Sequence, residues 1–218
     1  MPDNQVHIDV GVKQAIELFD GLLGKHDSSQ SVQQFLEALS QRLLLGHETR
    51  NSGIKFIVSQ KFKIYDLDEI YSSEFTLNDA KFCIAKEHGY DNWQDVERLE
   101  SSVDYAFESL IDAMLAGDIN RLKRSIDGNP DIVHQKSHYP HQATLLHYTG
   151  SNGVEGYRQV VPLNLAEIVE LLLEAGSDRT LAANVYGGCI AQELLQTSKH
   201  PYDAGVINEV LAVYDKYG

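Results

Sequence analysis

The 218-residue chain is short of positive charge, of cysteine and of long apolar runs, and each shortage closes a class of function. Lysine and arginine number 18 against 32 aspartates and glutamates, a net charge of −14. A duplex-binding domain needs a basic stripe to displace counterions, so nucleic acid is not an expected partner. The acidity is shared between the two halves and no basic arm stands out. It favours solubility, and it would suit a basic partner protein. Cys83 and Cys189 are the only cysteines. They lie far apart in helical patterns, with neither disulfide-framework nor zinc spacing, and are read as buried free thiols. No apolar stretch approaches the roughly 18 residues of a membrane span. The first residues lack a basic-then-apolar signal segment, and no Asn-x-Ser/Thr sequon occurs. These absences together predict a reduced, cytoplasmic protein with no membrane partner.

What remains is helical periodicity. Ile16, Phe19, Leu22 and Leu23 fall on one face of a predicted helix that Gly24 would stop. In the next segment Ser31 can cap, Phe35, Leu36, Leu39 and Leu43 form the stripe, and Gly46 would end it. Between Ile54 and Tyr65 the pattern is double. Ile54, Phe56 and Val58 alternate as in a strand, while Ile54, Ile57 and Val58 fit a helix, and the helical surroundings favour the helix. Three capping patterns follow: Asp66-x-x-Glu69, Thr76-x-x-Asp79 and Asp91-x-x-Gln94. Leu77, Ala80, Phe82, Cys83 and Ala85, then Trp93, Val96 and Leu99, supply facing apolar surfaces for an antiparallel helix pair. Trp93, the only tryptophan, is read as its core anchor.

Near residue 104 the pattern changes to short helix pairs punctuated by glycine, so an internal repeat is expected. ESLIDAMLAGDINRLKRSIDGNPDIV (108–133) aligns with ATLLHYTGSNG (143–153) followed, after an insertion at 154–162, by NLAEIVELLLEAGSD (164–178). Thr144-Leu145-Leu146-His147, the helix from Ile168 to Gly176, and Leu110, Ala113, Gly117 and Leu122 carry a resemblance to the ankyrin repeat. A third unit is placed from Gly188 onward, with helices near 190–197 and 204–217. The segments at 75–93, 152–159 and 186–206 resemble a bacterial ankyrin-like subgroup with an N-terminal helical part. The resemblance implies stacked helix pairs and binding through loops and first helices. It carries no chemistry over. No unit shows a clear β-hairpin finger sequence, and the third lacks the Thr-x-Leu-His start. The expected fold is therefore all-α: an N-terminal helical region (1–103) packed on a short ankyrin-like stack (104–218) whose leucine stripes are buried only by neighbouring units.

Chemistry is sparse. His134, His138, His141 and His147 crowd into fourteen residues, but Asp131, Tyr139 and Pro140 suit a polar loop better than a metal-ligating helix. Glu167, Glu170 and Glu174 lie on a solvated helix face. Asp66, Asp68 and Glu69 are likewise paired carboxylates with no sign of the desolvated cleft that acid–base catalysis requires. Gly150-x-x-Gly153 and Gly187-Gly188 lack the strand and lysine of a phosphate loop. The sequence thus predicts no enzyme, no cofactor and no metal. It predicts a protein-binding module instead, with Tyr139, His141, Tyr148, Tyr157, Arg158 and Tyr186 as candidate partner-binding residues. Tyr157 and Arg158, in the insertion, are the expected exposed hot spot. Two other readings stay open. One is a neutraliser of a basic protein, of the immunity or antitoxin kind. The other is a small-molecule binder or enzyme with a pocket between the halves, lined by His147, His200 and Tyr186.

Overall fold

Helices here often begin where a short polar side chain accepts a bond from an otherwise unpaired backbone amide, as Asp9, Ser31, Asp66, Thr76, Asn92 and Asp118 do. In the computed structural model, which describes residues 6–24, 30–99 and 101–218, thirteen α-helices and four two-residue strands are found among the described residues. The all-helical expectation holds. None of these helices is long and apolar enough to cross a membrane.

The chain divides into two units that are not continuous in sequence. The first comprises Asp9–Tyr105 with Glu155–Tyr157, and the second comprises Met1–Ile8, Ala106–Val154 and Arg158–Gly218.

In the first unit, α1 (Val10–Leu18) packs on α3 (Ile54–Phe62), and α2 (Val32–Glu48) packs on α5 (Leu77–Glu87). Two shorter helices, α4 (Leu67–Ser72) and α6 (Trp93–Glu97), complete it. The predicted stripe of α2 is buried throughout: Phe35, Leu36, Leu39 and Leu43. Ser31 and Gln34 form a full capping box, with bonds of 3.1 and 3.0 Å. Thr76 and Asp79 form another on α5, and Asp66 caps α4.

Four local expectations are corrected. Helix α1 ends at Leu18, and it buries Val12, Ala15 and Leu18 with Phe19 just beyond. Leu22 and Leu23 therefore lie in the following turn rather than on a helical stripe. Gly46 does not end α2, which continues to Glu48. A Cβ at Gly46 would sit 2.7 Å from both Ile54 and Leu18, so this glycine permits close packing inside a helix. The cap of α6 is Asn92, bonded to the Asp95 amide at 3.1 Å, not Asp91, whose largely exposed carboxylate pairs with Lys86. Trp93 is half-buried, with the Lys81 ammonium 4.8 Å above its ring, so it is not a fully enclosed anchor. The doubtful segment at 54–62 is helical. Cys83 is fully buried, and that burial pushes its thiol up to about 12; Cys189 is only partly buried.

The second unit contains all but the first residue of α7 (Tyr105–Leu115), with α8 (Ile119–Gly128), α9 (Leu145–Tyr148), α10 (Leu165–Glu174), α11 (Ala191–Thr197), α12 (His200–Asp203) and α13 (Ile207–Lys216). Gly117, Gly153 and Gly205, between the first and second helices of successive pairs, hold φ values of +79°, +70° and +76°. This left-handed turn costs glycine little and most other residues more. Strand β1 (Val6–His7) pairs antiparallel with β2 (Val161–Pro162), which brings the end of the insertion into the unit. Strands β3 (Ala182–Ala183) and β4 (Cys189–Ile190) form a hairpin. The buried stripe of α10 is Ile168, Val169 and Leu172, while Glu170 faces outward and pairs with Lys216.

Truncating Leu172, fully buried, to alanine should lower the unfolding free energy by about 2–5 kcal/mol. Glu170→Ala should leave the denaturation midpoint near wild type, because exposed ion pairs contribute little. Equal losses in chemical denaturation would mean that the buried face of α10 lies elsewhere.

Candidate interaction surface

The second unit places a loop ahead of each of two helices, α9 and α11. The first, 137–143, precedes α9. It closes through the Ser137 amide on the Ala143 carbonyl at 2.8 Å and the Gln142 amide on the Tyr139 carbonyl at 2.9 Å. The second is the β3–β4 hairpin ahead of α11. The expectation that no unit carries a hairpin finger is thereby corrected. The signal was the adjacent pair Gly187-Gly188, at φ +87° and +107°, which a tight reversal requires. The alanines at 182 and 183 are weak strand formers and masked it.

The two loops are joined edge to edge. Asn184 donates its amide N–H to the His141 carbonyl at 2.7 Å and its side-chain Nδ2 to the Pro140 carbonyl at 3.0 Å. At the hairpin tip Tyr186 also takes a positive φ, +49°, a conformation that costs a bulky residue about 1–2 kcal/mol. The residue is 72% exposed. The hydroxyl donates to Asn152 Oδ1 at 2.9 Å, and Asn152 in turn donates to Thr197 Oγ1 at 3.1 Å. The tip therefore presents an exposed, hydrogen-bonded aromatic side chain on a strained backbone, a combination that folding alone does not require.

Behind the loops lies His147, fully buried at the start of α9. Its Nδ1 faces the Thr144 amide at 3.1 Å and the Thr144 hydroxyl at 2.8 Å, so this nitrogen accepts. The other nitrogen, Nε2, then carries the proton and donates to the Leu181 carbonyl at 3.0 Å. Both ring nitrogens are committed within the turn. Burial holds the imidazole below its ordinary value near 6.5; the Leu181 carbonyl opposes this, while nearby His141 and Lys136 add to it.

The other candidate residues are not on this surface. Tyr139, His141 and Tyr148 are 3%, 2% and 0% exposed. They pack on one another, with His141 5.8 Å from the Tyr139 ring and 5.9 Å from that of Tyr148. Tyr157 and Arg158, expected to be exposed, are buried at 8% and 4%. The Arg158 guanidinium pairs with Glu108 and with Asp112 at 2.9 Å, and lies 5.7 Å from the Tyr148 ring. Tyr157 belongs to the first unit. There its hydroxyl donates to His88 Nε2 at 3.1 Å, because His88 Nδ1 is engaged with the Ile84 carbonyl, and its ring meets Phe19 edge-on. Beside it the Gly156 amide donates to Glu87, which also pairs with Lys61 at 3.2 Å. Glu155 is fully buried; burial, reinforced by its charge, pushes the Tyr90 hydroxyl up to about 12. The insertion is thus tied down by polar contacts, and that is its physical role in the fold.

Of the four clustered histidines, His134 and His138 are exposed. Among the described residues no group of three or more His, Cys, Asp or Glu side chains is placed to hold a metal. The residues that sequence reasoning missed are Asn152 and Asn184, which bond to the Tyr186 hydroxyl and to the loop before α9. Neither has a sequence signal, because both act across gaps of more than thirty residues. Comparison with protein-family models, with curated proteins and with solved structures gave no match.

Arg158→Ala should destabilise the chain by about 3–5 kcal/mol, because Glu108 would be left buried and uncompensated. A near-wild-type melting temperature for this variant would mean that the guanidinium is solvated. A second expectation concerns acid. The folded state binds a proton at His147 more weakly than the unfolded state does. Its contribution is therefore complete above about pH 6.5 and is lost as pH falls through the lower folded value. Denaturation series across this range should show a flatter pH slope for His147→Gln than for wild type; coincident slopes would remove His147 from the account.

Proposed function

We propose that this chain is a non-enzymatic protein-binding module of ankyrin-like build, and that its partner meets the loops ahead of α9 and α11. The observation that carries this reading is the Tyr186 tip: an exposed aromatic ring held by a side-chain hydrogen bond on left-handed backbone, on a hairpin bonded to the loop before it. Tyrosine is favoured at interface hot spots because it buries much area at little cost in side-chain freedom. The repeated order of loop, helix, glycine turn and helix supports the ankyrin-like part. So does His147, whose two bonds tie the turn before α9 to the stretch after α10. In such a stack the leucine faces are committed to packing, and loops and first helices are what is left to meet a partner. The net charge of −14 favours a partner that is basic where it docks. The commitment of both His147 nitrogens weighs against the reading in which it lines a small-molecule pocket.

The test separates stability from binding. Tyr186→Gly removes the ring and suits the positive φ, so the melting temperature should hold or rise slightly. Capture of partner proteins from native-cell extract, quantified by mass spectrometry against wild type, should fall by about tenfold or more. Undiminished capture by a folded Tyr186→Gly chain would place the interface elsewhere. If wild type captures nothing while a small molecule raises its melting temperature, the pocket reading replaces this one.

A further inference from the structure

The loop before α9 is held from within by two buried imidazoles, His141 and His147. The Ala143 amide donates to His141 Nδ1 at 3.0 Å, and the next amide, that of Thr144, donates to His147 Nδ1 at 3.1 Å. Both Nδ1 atoms are acceptors, which only an unprotonated nitrogen can be. The same two residues also reach the hairpin that carries Tyr186. His147 Nε2 donates to the Leu181 carbonyl just before β3, and the His141 carbonyl accepts from the Asn184 amide just after it. Between His141 and Ala143, Gln142 sits at φ +52°, a strained conformation that only the surrounding bonds maintain. A proton on either Nδ1 would set a donor against a donor. The groups around His147 do not compensate for the charge. α9 packs on α10, on α11 and on the turn Pro130–His134. There Asp131, His134, Glu167, Glu174 and Glu193 are exposed, and Glu170 pairs with Lys216. In the hairpin, residues 180–192, Tyr186 and Cys189 are the only titratable side chains. Beside α9, Arg158 is bound to Glu108 and Asp112. In the loop itself Lys136 and His138 are exposed. Burial, joined by His141 and Lys136 and opposed by the Leu181 carbonyl, holds the His147 imidazole below 6.5. A histidine released into water titrates at about 6.5. The closed loop therefore binds the proton more weakly than the open one, and opening grows more favourable as pH falls below about 6.5.

We propose that His141 and His147 make the joined loops an acid-released surface: a proton taken up at either ring frees the Ala143 and Thr144 amides, parts the loop 137–143 from the hairpin, and so lets go of a partner that was bound at neutral pH. The last step rests on the reading of the Tyr186 tip as the interface; the opening of the loops does not. The device is local, because the bonds that the proton breaks lie in the two loops, whereas the leucine faces of α10 and α13 hold no titratable group that it would disturb. Local opening of this kind, ahead of global unfolding, is how buried histidines act as switches in mild acid.

Amide hydrogen exchange of the full chain, read by mass spectrometry and corrected for the intrinsic pH dependence of exchange, tests this without a partner. Between about pH 7.5 and about pH 5, protection over residues 137–144 and 181–186 should fall by about tenfold or more, while α10 and α13 keep theirs. His141→Gln with His147→Gln supplies amide acceptors that do not titrate. In that chain, its folding verified by a melting curve, the acid response of the two loops should be lost. If the double variant does not fold, histidine-ring NMR of the wild type takes its place, and the His147 ring should take up its proton over the same pH range as the loops open. The proposal is overturned if protection of the loops is the same in acid, if α10 and α13 lose protection in step with them, if the folded double variant keeps the wild-type response, or if the ring titrates without loop opening. Failure here and failure of the tip reading are told apart. Loops that open in acid, with partner capture undiminished in Tyr186→Gly, would remove the tip reading and leave the switch. Loops that stay closed, with capture lost in Tyr186→Gly, would do the reverse.

Discussion

A guanidinium that is 4% exposed has to find anions, and the placement of the insertion follows from where α7 supplies them. Glu108 and Asp112 are four residues apart and therefore share a face of that helix. Arg158 bonds to both. Such a buried arrangement rarely adds net stability over an apolar one, but leaving one member unpaired is costly, so it selects one position for the segment that bears the arginine. With Arg158 held there, Val161 and Pro162 pair with β1, and Asn164 reaches the Gly117 carbonyl at 3.1 Å. The residues just before Arg158 obey the same rule within the first unit, where Gly156 and Tyr157 meet Glu87 and His88.

The division of labour between helices and loops follows from burial. Ile168, Val169 and Leu172 of α10 and Val210 and Tyr214 of α13 are buried, and α10 packs on α13. What remains outward on α10 and α13 is mostly acidic, on α8 it is Arg121, Lys123 and Arg124, and the loops make up the rest. A long exposed acid stripe contributes solubility but no shape. The hairpin tip does have shape, because the β3–β4 pairing, the Asn184 bonds and the Asn152 bond hold Tyr186 in place. A rigid exposed ring loses little on association, which is why the tip, rather than the acidic helix faces, carries the functional reading.

The six candidate binding residues show where pattern reading loses force. Aromatic residues in a loop-like stretch read as surface, yet Tyr139, His141 and Tyr148 pack against each other, and Tyr157 and Arg158 of the insertion are held by polar contacts. An insertion with tyrosine and arginine has the composition of an interface and of a buried polar network alike, because both need large side chains with hydrogen-bonding ends. Only the presence of a partner within the chain separates the two. For Arg158 those partners, Glu108 and Asp112, lie about fifty residues away in sequence.

Helix identity, most caps, the buried stripe of α2, part of that of α10 (Ile168 and Leu172) and the glycine turns between helix pairs were legible from residue order alone. Each depends on residues within one or two turns, and the physics of caps, periodicity and left-handed turns acts at that range. Gly46 shows the limit: its local signature is a helix stop, but Leu18 and Ile54, distant in sequence, need the space that a Cβ would fill. The β1–β2 pairing, the joined loops at Asn184 and His141, and the seating of Tyr157 and Arg158 were decided only by the tertiary structure. They rest on a few bonds between remote segments of two or three residues, too short to carry a period, and such bonds become favourable only after the helices have brought the segments together.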